Sequence, residues 1–370
     1  MRLTLVISSL AAGGAERVMS ILADRWAEQG HQVTLVTLAP RREDFFTLRP
    51  EVKRVGLDLM GTSRGPLQAL AGNLRRLAGL RRALAASRPQ VVISFMDRTN
   101  VLTLLASRGL GLPVVVAEHT NPRLAPLGPY WGTLRRLLYP RADRVLAVNQ
   151  EGAEFLRAWL EPGRVLVMPN PVPPDIELPA PLPPGPWPEL EHTVLGMGRL
   201  SPEKGFDILI RAFAACRARH PRWRLLILGQ GPQRPFLEGL VRALDIQEAV
   251  SLPGNLPRPY GLLERCGLFV MPSRYEGFPC GLLEAMACGA PVLASDCSSA
   301  VAKIIASPDQ GLVVPRQDTA ALARALDRLM ADPARRRALG RGARAVRRRY
   351  GVEAIMEMWD NLLTPLLSGR

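Results

Sequence analysis

Short apolar runs alternate with helix-like patterns along the first half of the chain. Residues 3–8 are mostly apolar, a glycine turn follows at Gly13-Gly14, and apolar side chains then recur at helical spacing through 18–26. Similar runs follow at 32–38, 91–95, 114–117, 144–148 and 165–168. Runs of this length bounded by turn residues are typical of buried strands, and the helical segments between them indicate parallel crossover connections. The pattern predicts a doubly wound α/β domain over residues 1–172.

Nine prolines between 171 and 188 interrupt this alternation. Because proline fixes φ and has no amide donor, we expect a semi-rigid linker at 173–190. A second domain of the same kind is predicted over 191–350, since strand-like runs resume at 193–197, 224–228, 250–252, 268–271, 292–294 and 312–314. Residues 351–370 have the apolar spacing of one last helix.

The composition narrows the class of protein. Hydrophobic residues make up 47% of the 370 and charged residues 22%, as in a folded globular chain. No apolar run is long enough to span a bilayer. The first residues resemble a short signal peptide, but the pattern favours a buried strand there. Five dispersed cysteines argue against a disulfide scaffold and suit a reducing compartment, so we expect a cytoplasmic protein.

The charge balance is strongly basic. Lys+Arg exceed Asp+Glu by 48 − 33 = 15, and lysine occurs only at positions 53, 204 and 303. An anionic partner such as a phosphate, a nucleic acid or a membrane surface would explain the excess, and so would a genomic bias towards arginine. Nucleic acid is not expected, because the basic cluster at 335–349 has no interleaved aromatic residues and no recognition motif.

Two segments at predicted strand ends carry candidate chemistry. Arg199 and Lys204 follow the first strand of the second domain, where an arginine fork and an ammonium can hold a diphosphate. Further on, Glu276 lies in a glycine- and proline-rich loop, and Glu284 lies about one turn into the helix that follows. The loop and the helix N-terminus form an anion site with a carboxylate on each side. A sugar nucleotide, with hydroxyls on both sides of its diphosphate, has the matching layout.

The same residues resemble the Glu-x7-Glu signature of retaining glycosyltransferase family 4. Other matching blocks occur in the family's order at 13–17, 44–48, 118–119, 170–171, 198–205, 229–232, 252–254 and 296–297. The resemblance implies the GT-B architecture, with two Rossmann-like domains facing a central cleft and the last helix packed back on the first domain. It also implies an enzyme similar to those that assemble bacterial surface polysaccharides and lipid-linked glycans.

By that resemblance, each matching position takes a role. The implied catalytic residues are His119, Arg199, Lys204 and Glu276. The implied donor-binding residues are Gly13, Gly14, Arg199, Lys204, Gly254, Glu276, Gly277, Phe278, Leu282, Leu283 and Glu284. The first domain would bind the acceptor, and the candidates there are Glu16, Arg17, Arg75 and Arg76. One departure is Lys303, which stands where relatives often have a glutamate and puts the local loop geometry and the donor preference in doubt.

The implied reaction is transfer of a hexosyl or N-acetylhexosaminyl group from a nucleoside-diphosphate sugar, with UDP the expected nucleotide, to a glycan or an undecaprenyl-diphosphate-linked acceptor. No metal and no cofactor are expected, because the chain has no Asp-x-Asp motif and its cationic side chains and amides can neutralise the leaving group. Two alternatives stay open: a sugar-nucleotide epimerase, and a non-catalytic glycan-binding protein on the same fold.

The segment 64–88 is basic and rich in leucine. Leucines at 67, 70, 74, 77 and 84 follow helical spacing, and residues 59–96 contain six arginines. Such a helix can lie on an anionic membrane, or it can turn its leucines to the core and its arginines to solvent. The hypothesis is peripheral contact with the inner face of the plasma membrane.

Overall fold

A computed structural model describes residues 1–61, 65–120, 127–176 and 179–368. The chain divides into two compact units. The first contains Met1–Asn170 together with Glu353–Arg370, and the second contains Pro171–Val352. The boundaries predicted from the sequence pattern, at 172/173 and 350/351, each lie two residues from these divisions.

The described strands of the first unit form one parallel sheet in the order β3-β2-β1-β4-β5-β6-β7. They are β1 (Arg2–Ile7), β2 (Gln32–Thr37), β3 (Lys53–Gly56), β4 (Val91–Phe95), β5 (Val114–Glu118), β6 (Arg144–Ala147) and β7 (Val165–Val167). The helices between them are α1 (Gly14–Glu28), α2 (Pro66–Ser87), α3 (Asp97–Ala106), α4 (Pro129–Leu138) and α5 (Gln150–Arg157). Every residue of β4 and β5 is buried, as expected of strands covered by helices on both faces.

The second unit repeats this plan with the order β10-β9-β8-β11-β12-β13. Its strands are β8 (Thr193–Met197), β9 (Arg224–Leu228), β10 (Val250–Gly254), β11 (Leu268–Met271), β12 (Val292–Asp296) and β13 (Leu312–Pro315). Its helices are α6 (Phe206–Cys216), α7 (Arg234–Ala243), α8 (Tyr260–Arg265), α9 (Cys280–Cys288), α10 (Ser299–Ile304), α11 (Thr319–Ala331), α12 (Pro333–Ala343) and α13 (Val346–Tyr350). The predicted α/β class with two doubly wound sheets is therefore confirmed.

Each sheet has a point where the strand order reverses, between β1 and β4 in the first unit and between β8 and β11 in the second. Ligands of open α/β sheets bind outside the carboxyl ends of the strands at such points, because loops there diverge to opposite faces. The loops after these four strands are therefore where a site is expected from topology alone.

The last helix, α14 (Val352–Ser368), belongs almost entirely to the first unit. Trp359 is 1% exposed, and its ring packs edge-on against Trp26 of α1 at a centroid distance of 5.6 Å. Glu353 also forms an ion pair with Arg25. None of the described helices is both long and apolar enough to cross a bilayer.

The proline-rich segment packs within the second unit. The Ala180 amide donates to the Glu264 carboxylate at 2.8 Å, and its carbonyl accepts from Arg265 at 2.7 Å. The Pro181 carbonyl lies so close to α8 that a Cβ on Gly261 would approach it to 2.3 Å. Ala180 and Pro181 are therefore held against α8 by hydrogen bonds and close packing.

Glycines bring the loops after β8, β9 and β10 into backbone contact. The Gly198 amide donates to Leu228 O at 2.9 Å, and the Gly229 amide donates to Gly254 O at 2.8 Å. A Cβ on Gly229, whose φ is +147°, would approach the Gly198 carbonyl oxygen to 1.9 Å. Only glycine fits there without moving backbone, so these residues set the position of the loop that carries Arg199 and Lys204.

We expect Gly229→Ala to destabilise the second unit by more than about 1 kcal/mol, because it adds a backbone clash to an unfavourable φ. Gly239→Ala is the control, since Gly239 is helical and a Cβ added there would meet no atom within 4 Å, and it should be neutral or stabilising. The melting temperatures of both variants and the wild type are measured by circular dichroism. Equal melting temperatures would show that the loop contact is not tight.

Candidate active site

A partly buried ion pair joins the loops after β8 and β11. Lys204 Nζ lies 2.7 Å from Glu276 Oε1 and 2.9 Å from Oε2, and the Glu276 side chain is only 10% exposed. Ser273 Oγ donates to the same carboxylate at 2.7 Å. The two residues are 72 positions apart in sequence, and they meet because β8 and β11 are neighbours at the reversal of strand order.

The charge of Lys204 is protected by this pair. Burial opposes the ammonium, but attraction and hydrogen bonding to Glu276 outweigh it and raise the pKa of Lys204 above its usual value. The side chain therefore stays cationic throughout the physiological range. A fixed positive charge beside a partly enclosed carboxylate is suited to binding an anion and a hydroxyl-bearing group at once.

The backbone around the pair is held by two further contacts. Lys204 ends a short 3₁₀ turn, and Gly205 follows with φ +66°, where a Cβ would approach Pro272 O to 2.2 Å. Arg274 makes a two-pronged ion pair with Asp207 of α6 at 2.7 and 2.8 Å. The loop after β11 is therefore joined to the start of α6, and this contact keeps Lys204 and Glu276 close to each other.

Glu284 lies on α9, in the helix that begins just after the Glu276 loop. It is 5% exposed. Phe278 is buried against Tyr350 at a ring distance of 5.8 Å, which fixes the path of the loop through Gly277. Of the predicted amide donors, the Leu283 amide donates to Pro279 O at 3.1 Å, and Leu282 is fully buried beside it.

Arg199 and Gly254 border the same group of loops. The Arg199 side chain is exposed, and among the described residues it has no hydrogen bond or ion pair. Gly254 ends β10 with φ +102°, where a Cβ would contact the Gln230 side chain at 2.7 Å. Arg199 is thus free to approach a ligand, whereas Gly254 contributes backbone only.

In the first unit, the loop after β1 leads into α1. Gly14 is the first residue of α1 and is exposed. The Gly13 carbonyl accepts a hydrogen bond from the Arg17 amide at 3.0 Å. The Glu16 carboxylate lies over Gly13, since a Cβ there would be 2.2 Å from Oε2. A negative group at a helix N-terminus is favourable. Arg17 lies 5.4 Å from the ring of Phe46, in one of the family-like blocks.

His119 follows β5 directly and packs against Phe95, the last residue of β4, with ring centroids 4.1 Å apart and ring planes tilted by 38°. Its Nε2 is buried and has no hydrogen-bond partner within the described part of the chain. Burial lowers the pKa of His119 to about 3, so the imidazole is neutral at physiological pH. No sequence pattern indicates the support from Phe95, because the two residues meet only through the pairing of β4 with β5.

Helix α2 divides its leucines between two environments. Leu80 and Leu84 are fully buried, whereas Leu67, Leu70 and Leu74 are 82%, 55% and 57% exposed. The leucines near the C-terminal end of α2 therefore pack into the core, and those near its N-terminal end are exposed. Arg64 lies outside the described residues.

The two predicted acceptor arginines of α2 have different surroundings. Arg76 donates to the Leu59 and Gly61 carbonyls, each at 2.9 Å, and holds the segment after β3. Arg75 is exposed and lines a cavity of about 710 Å³ between β3 and α2.

Sequence reasoning missed several supporting residues. Ser273, Asp207 and Arg274 hold the Glu276 loop, yet each is a common residue type with no distinctive spacing. Half of the arginines in the basic cluster at 335–349 have structural contacts: Arg335, Arg336, Arg347 and Arg349 donate to main-chain carbonyls of neighbouring elements. In the described residues, no group of three or more His, Cys, Asp or Glu side chains is arranged to hold a metal ion.

Comparison with known proteins accounts for both units. A family model described as "Glycosyl transferase 4-like domain" matches residues 13–171, and one described as "Glycosyl transferases group 1" matches 183–346. Among solved structures, sucrose-phosphate synthase from Thermosynechococcus elongatus superposes with a TM-score of 0.82 at 24% identity, covering 100% of this chain and 99% of that one. Anabaena Alr3699/HepE in complex with UDP-glucose gives 0.79 at 19% identity, covering 98% and 99%.

Two curated relatives align along almost the whole chain. An exopolysaccharide phosphotransferase from Streptomyces coelicolor is 30% identical over 97% of this chain, although the chain spans only 40% of that protein. An α-1,4-N-acetylgalactosaminyltransferase from Campylobacter jejuni, named for its undecaprenol-linked GalNAc-containing acceptor, is 27% identical over 98% of both chains. With two matching domains in order and the doubly wound sheets described above, the chain belongs to the GT-B glycosyltransferases that combine a glycosyl transferase 4-like domain with a group 1 domain.

Proposed function

We propose that this glycosyltransferase moves a hexosyl or N-acetylhexosaminyl group from a UDP-sugar to a lipid-linked glycan, with retention of configuration and without a metal ion. The observation that carries the proposal is the Lys204–Glu276 pair at the strand-order reversal of the second unit. It puts a permanent cation and a carboxylate within one hydrogen bond of each other, which suits a sugar joined to a diphosphate.

The chemistry requires stabilisation of the leaving group. Negative charge grows on the diphosphate oxygen as the glycosidic bond breaks, and prearranged donors there commonly supply the largest catalytic effect. We assign this role to Lys204, with Arg199 and the loop amides as further donors. Glu276 would accept hydrogen bonds from the sugar hydroxyls, and Glu284 from those of the ribose.

Retention follows from the geometry we propose for the transfer. A double displacement would need a nucleophile on the sugar face opposite the diphosphate. We favour same-face transfer, in which the departing phosphate oxygen takes the proton of the acceptor hydroxyl. His119, neutral and packed against Phe95, would line the sugar side of the reacting centre.

The donor and acceptor are inferred from relatives. HepE was solved with UDP-glucose, and the Campylobacter relative transfers N-acetylgalactosamine to an undecaprenol-linked glycan. The epimerase and glycan-binding alternatives are not favoured, because curated relatives spanning nearly the whole chain are named as transferases. A panel of UDP-, GDP- and ADP-sugars in a thermal-shift assay identifies the base.

Lys204→Ala should reduce kcat by about two to three orders of magnitude, the usual loss on removing one prearranged electrostatic donor. Lys53→Ala is the matched control, because Lys53 is an exposed lysine on β3 of the first unit and its loss should leave kcat unchanged. Transfer is measured as UDP release well below the melting temperature of each variant. Wild-type turnover in Lys204→Ala would refute the assigned role.

Binding of UDP and of UDP-sugar should distinguish the roles of Glu276 and Glu284. Glu284→Gln should weaken both UDP and UDP-sugar binding about tenfold to a hundredfold, since a hydrogen bond to a charged group contributes about 1.5–3 kcal/mol. Glu276→Gln should weaken UDP-sugar binding more than UDP binding, because UDP lacks the sugar hydroxyls. Isothermal titration of both ligands against both variants tests this, and the reverse pattern would exchange the two assignments.

We also propose that the protein contacts the membrane surface peripherally through α2. Leu67, Leu70 and Leu74 form an exposed apolar face with Arg75 beside it, and each basic residue near an anionic surface contributes about 1 kcal/mol. Replacing the three leucines with serine should abolish co-sedimentation with phosphatidylglycerol vesicles at low salt. Phe236→Ser, on the exposed face of α7, is the control. Unchanged binding of the triple variant would exclude this face.

A further inference from the structure

A chain of hydrogen bonds ends at Glu118, the last residue of β5. The Tyr139 hydroxyl donates to Glu118 Oε1 at 2.6 Å and accepts from Asn100 Nδ2 at 3.1 Å. Asn100 also donates to the Ala117 carbonyl at 2.9 Å. The three side chains are at most 1% exposed. They connect α3 and the turn after α4 to the end of β5, one residue before His119.

Burying these polar and charged groups in the core is unfavourable for stability, because they lose contact with water. Arg135 Nη1 lies 3.6 Å from Glu118 Oε1, and the arginine is 7% exposed. Within the described chain, Glu118 Oε2, Asn100 Oδ1 and Arg135 Nε have no hydrogen-bond partner. Apolar residues of similar volume commonly match or exceed the stability of a buried ionic group, so stability alone does not account for this arrangement.

Backbone strain occurs next to the same network. Met96 follows β4 with φ +76°, a conformation unfavourable for methionine. Its amide donates to Ala117 O at 3.2 Å, and its carbonyl accepts from the Asn100 amide at 2.8 Å. Met96 also follows Phe95, against which His119 packs. Strained residues persist where surrounding contacts hold them, and they cluster at functional sites.

We propose that Glu118 is a positioning residue for sugar transfer: through Tyr139 and Asn100 it fixes the carboxyl end of β5 and thereby the placement of the His119 ring. Successive residues at a strand end point to opposite faces of the sheet, so Glu118 acts on His119 through the shared backbone. The inference deepens the proposed function and rests on the role given there to His119.

The network also makes this positioning sensitive to pH. Burial raises the pKa of Glu118 from its ordinary 4.5 to about 7, with Asp97 adding to the rise and Tyr139 and Arg135 opposing it. These are the charged and titratable groups that face it from α3, α4 and the following turn. Above pH 7 the carboxylate attracts Arg135, and below pH 7 protonation removes that attraction. Because the folded pKa exceeds the ordinary value, the contribution of Glu118 to stability falls as pH rises from about 4.5 to about 7.

The test compares Glu118→Gln and Tyr139→Phe with a matched control, Thr103→Val. Thr103 is fully buried on α3, and its hydroxyl bonds Ser94 of β4 at 3.0 Å, so the control removes a buried hydroxyl from the same helix–sheet interface. Each enzyme is assayed with UDP-N-acetylglucosamine or the donor that the panel selects, between pH 6 and 8. The His119 imidazole is followed by NMR of histidine-labelled protein, with His119→Asn used for assignment.

We expect Glu118→Gln and Tyr139→Phe to lower kcat about tenfold to a hundredfold, the scale of loss from a small misplacement, while donor KM changes less than threefold. Wild type and Thr103→Val should lose activity as pH falls through about 7, and Glu118→Gln should lose this dependence. The His119 resonance should shift in the first two variants and stay in place in Thr103→Val.

Losses of kcat equal to that of Thr103→Val would overturn the proposal, as would an unmoved His119 resonance. The NMR result decides the matter even if no sugar donor is turned over, because it reports the placement of His119 without catalysis. A shifted resonance with an inactive wild type would retain the positioning network and refute the proposed transfer reaction.

Discussion

The contact between Lys204 and Glu276 is the constraint on which the second unit's site depends. A buried ion pair is favourable only when its geometry compensates for the water that both charges lose. Here the Lys204 ammonium donates to both carboxylate oxygens of Glu276, and the Ser273 hydroxyl donates a further hydrogen bond to Oε1. The pair keeps a cation beside a carboxylate, and we propose that the diphosphate of the donor binds to this cation.

The sheet makes this contact possible. Lys204 and Glu276 follow strands that are adjacent only because the strand order reverses between β8 and β11. Glycines at 205 and 229 let backbone approach backbone at distances that a Cβ would prevent. The site is therefore rigid where charges must be placed accurately, and this rigidity comes from main-chain contacts rather than from the functional side chains.

The first unit is built on the same principle with different chemistry. His119 is supported from one side by Phe95, which in turn stacks near Trp359 of α14 at 6.4 Å. On the other face of the sheet lies the polar network of Glu118. An aromatic support and a hydrogen-bonded one thus meet at the carboxyl end of β5. The exposed leucines of α2 lie on a separate helix and have no part in this support.

The sequence by itself determined the α/β class, both series of parallel strands and the family, because apolar runs and glycine-rich turns are local signals. It also singled out Lys204, Glu276 and Glu284, since their spacing is distinctive. Tertiary structure alone decided that Lys204 meets Glu276, that Arg76 donates to main-chain carbonyls while Arg75 is exposed, and that α2 fully buries only two of its six leucines. These outcomes depend on which strands are neighbours and where a helix leaves the core, and a periodic pattern along one chain contains neither.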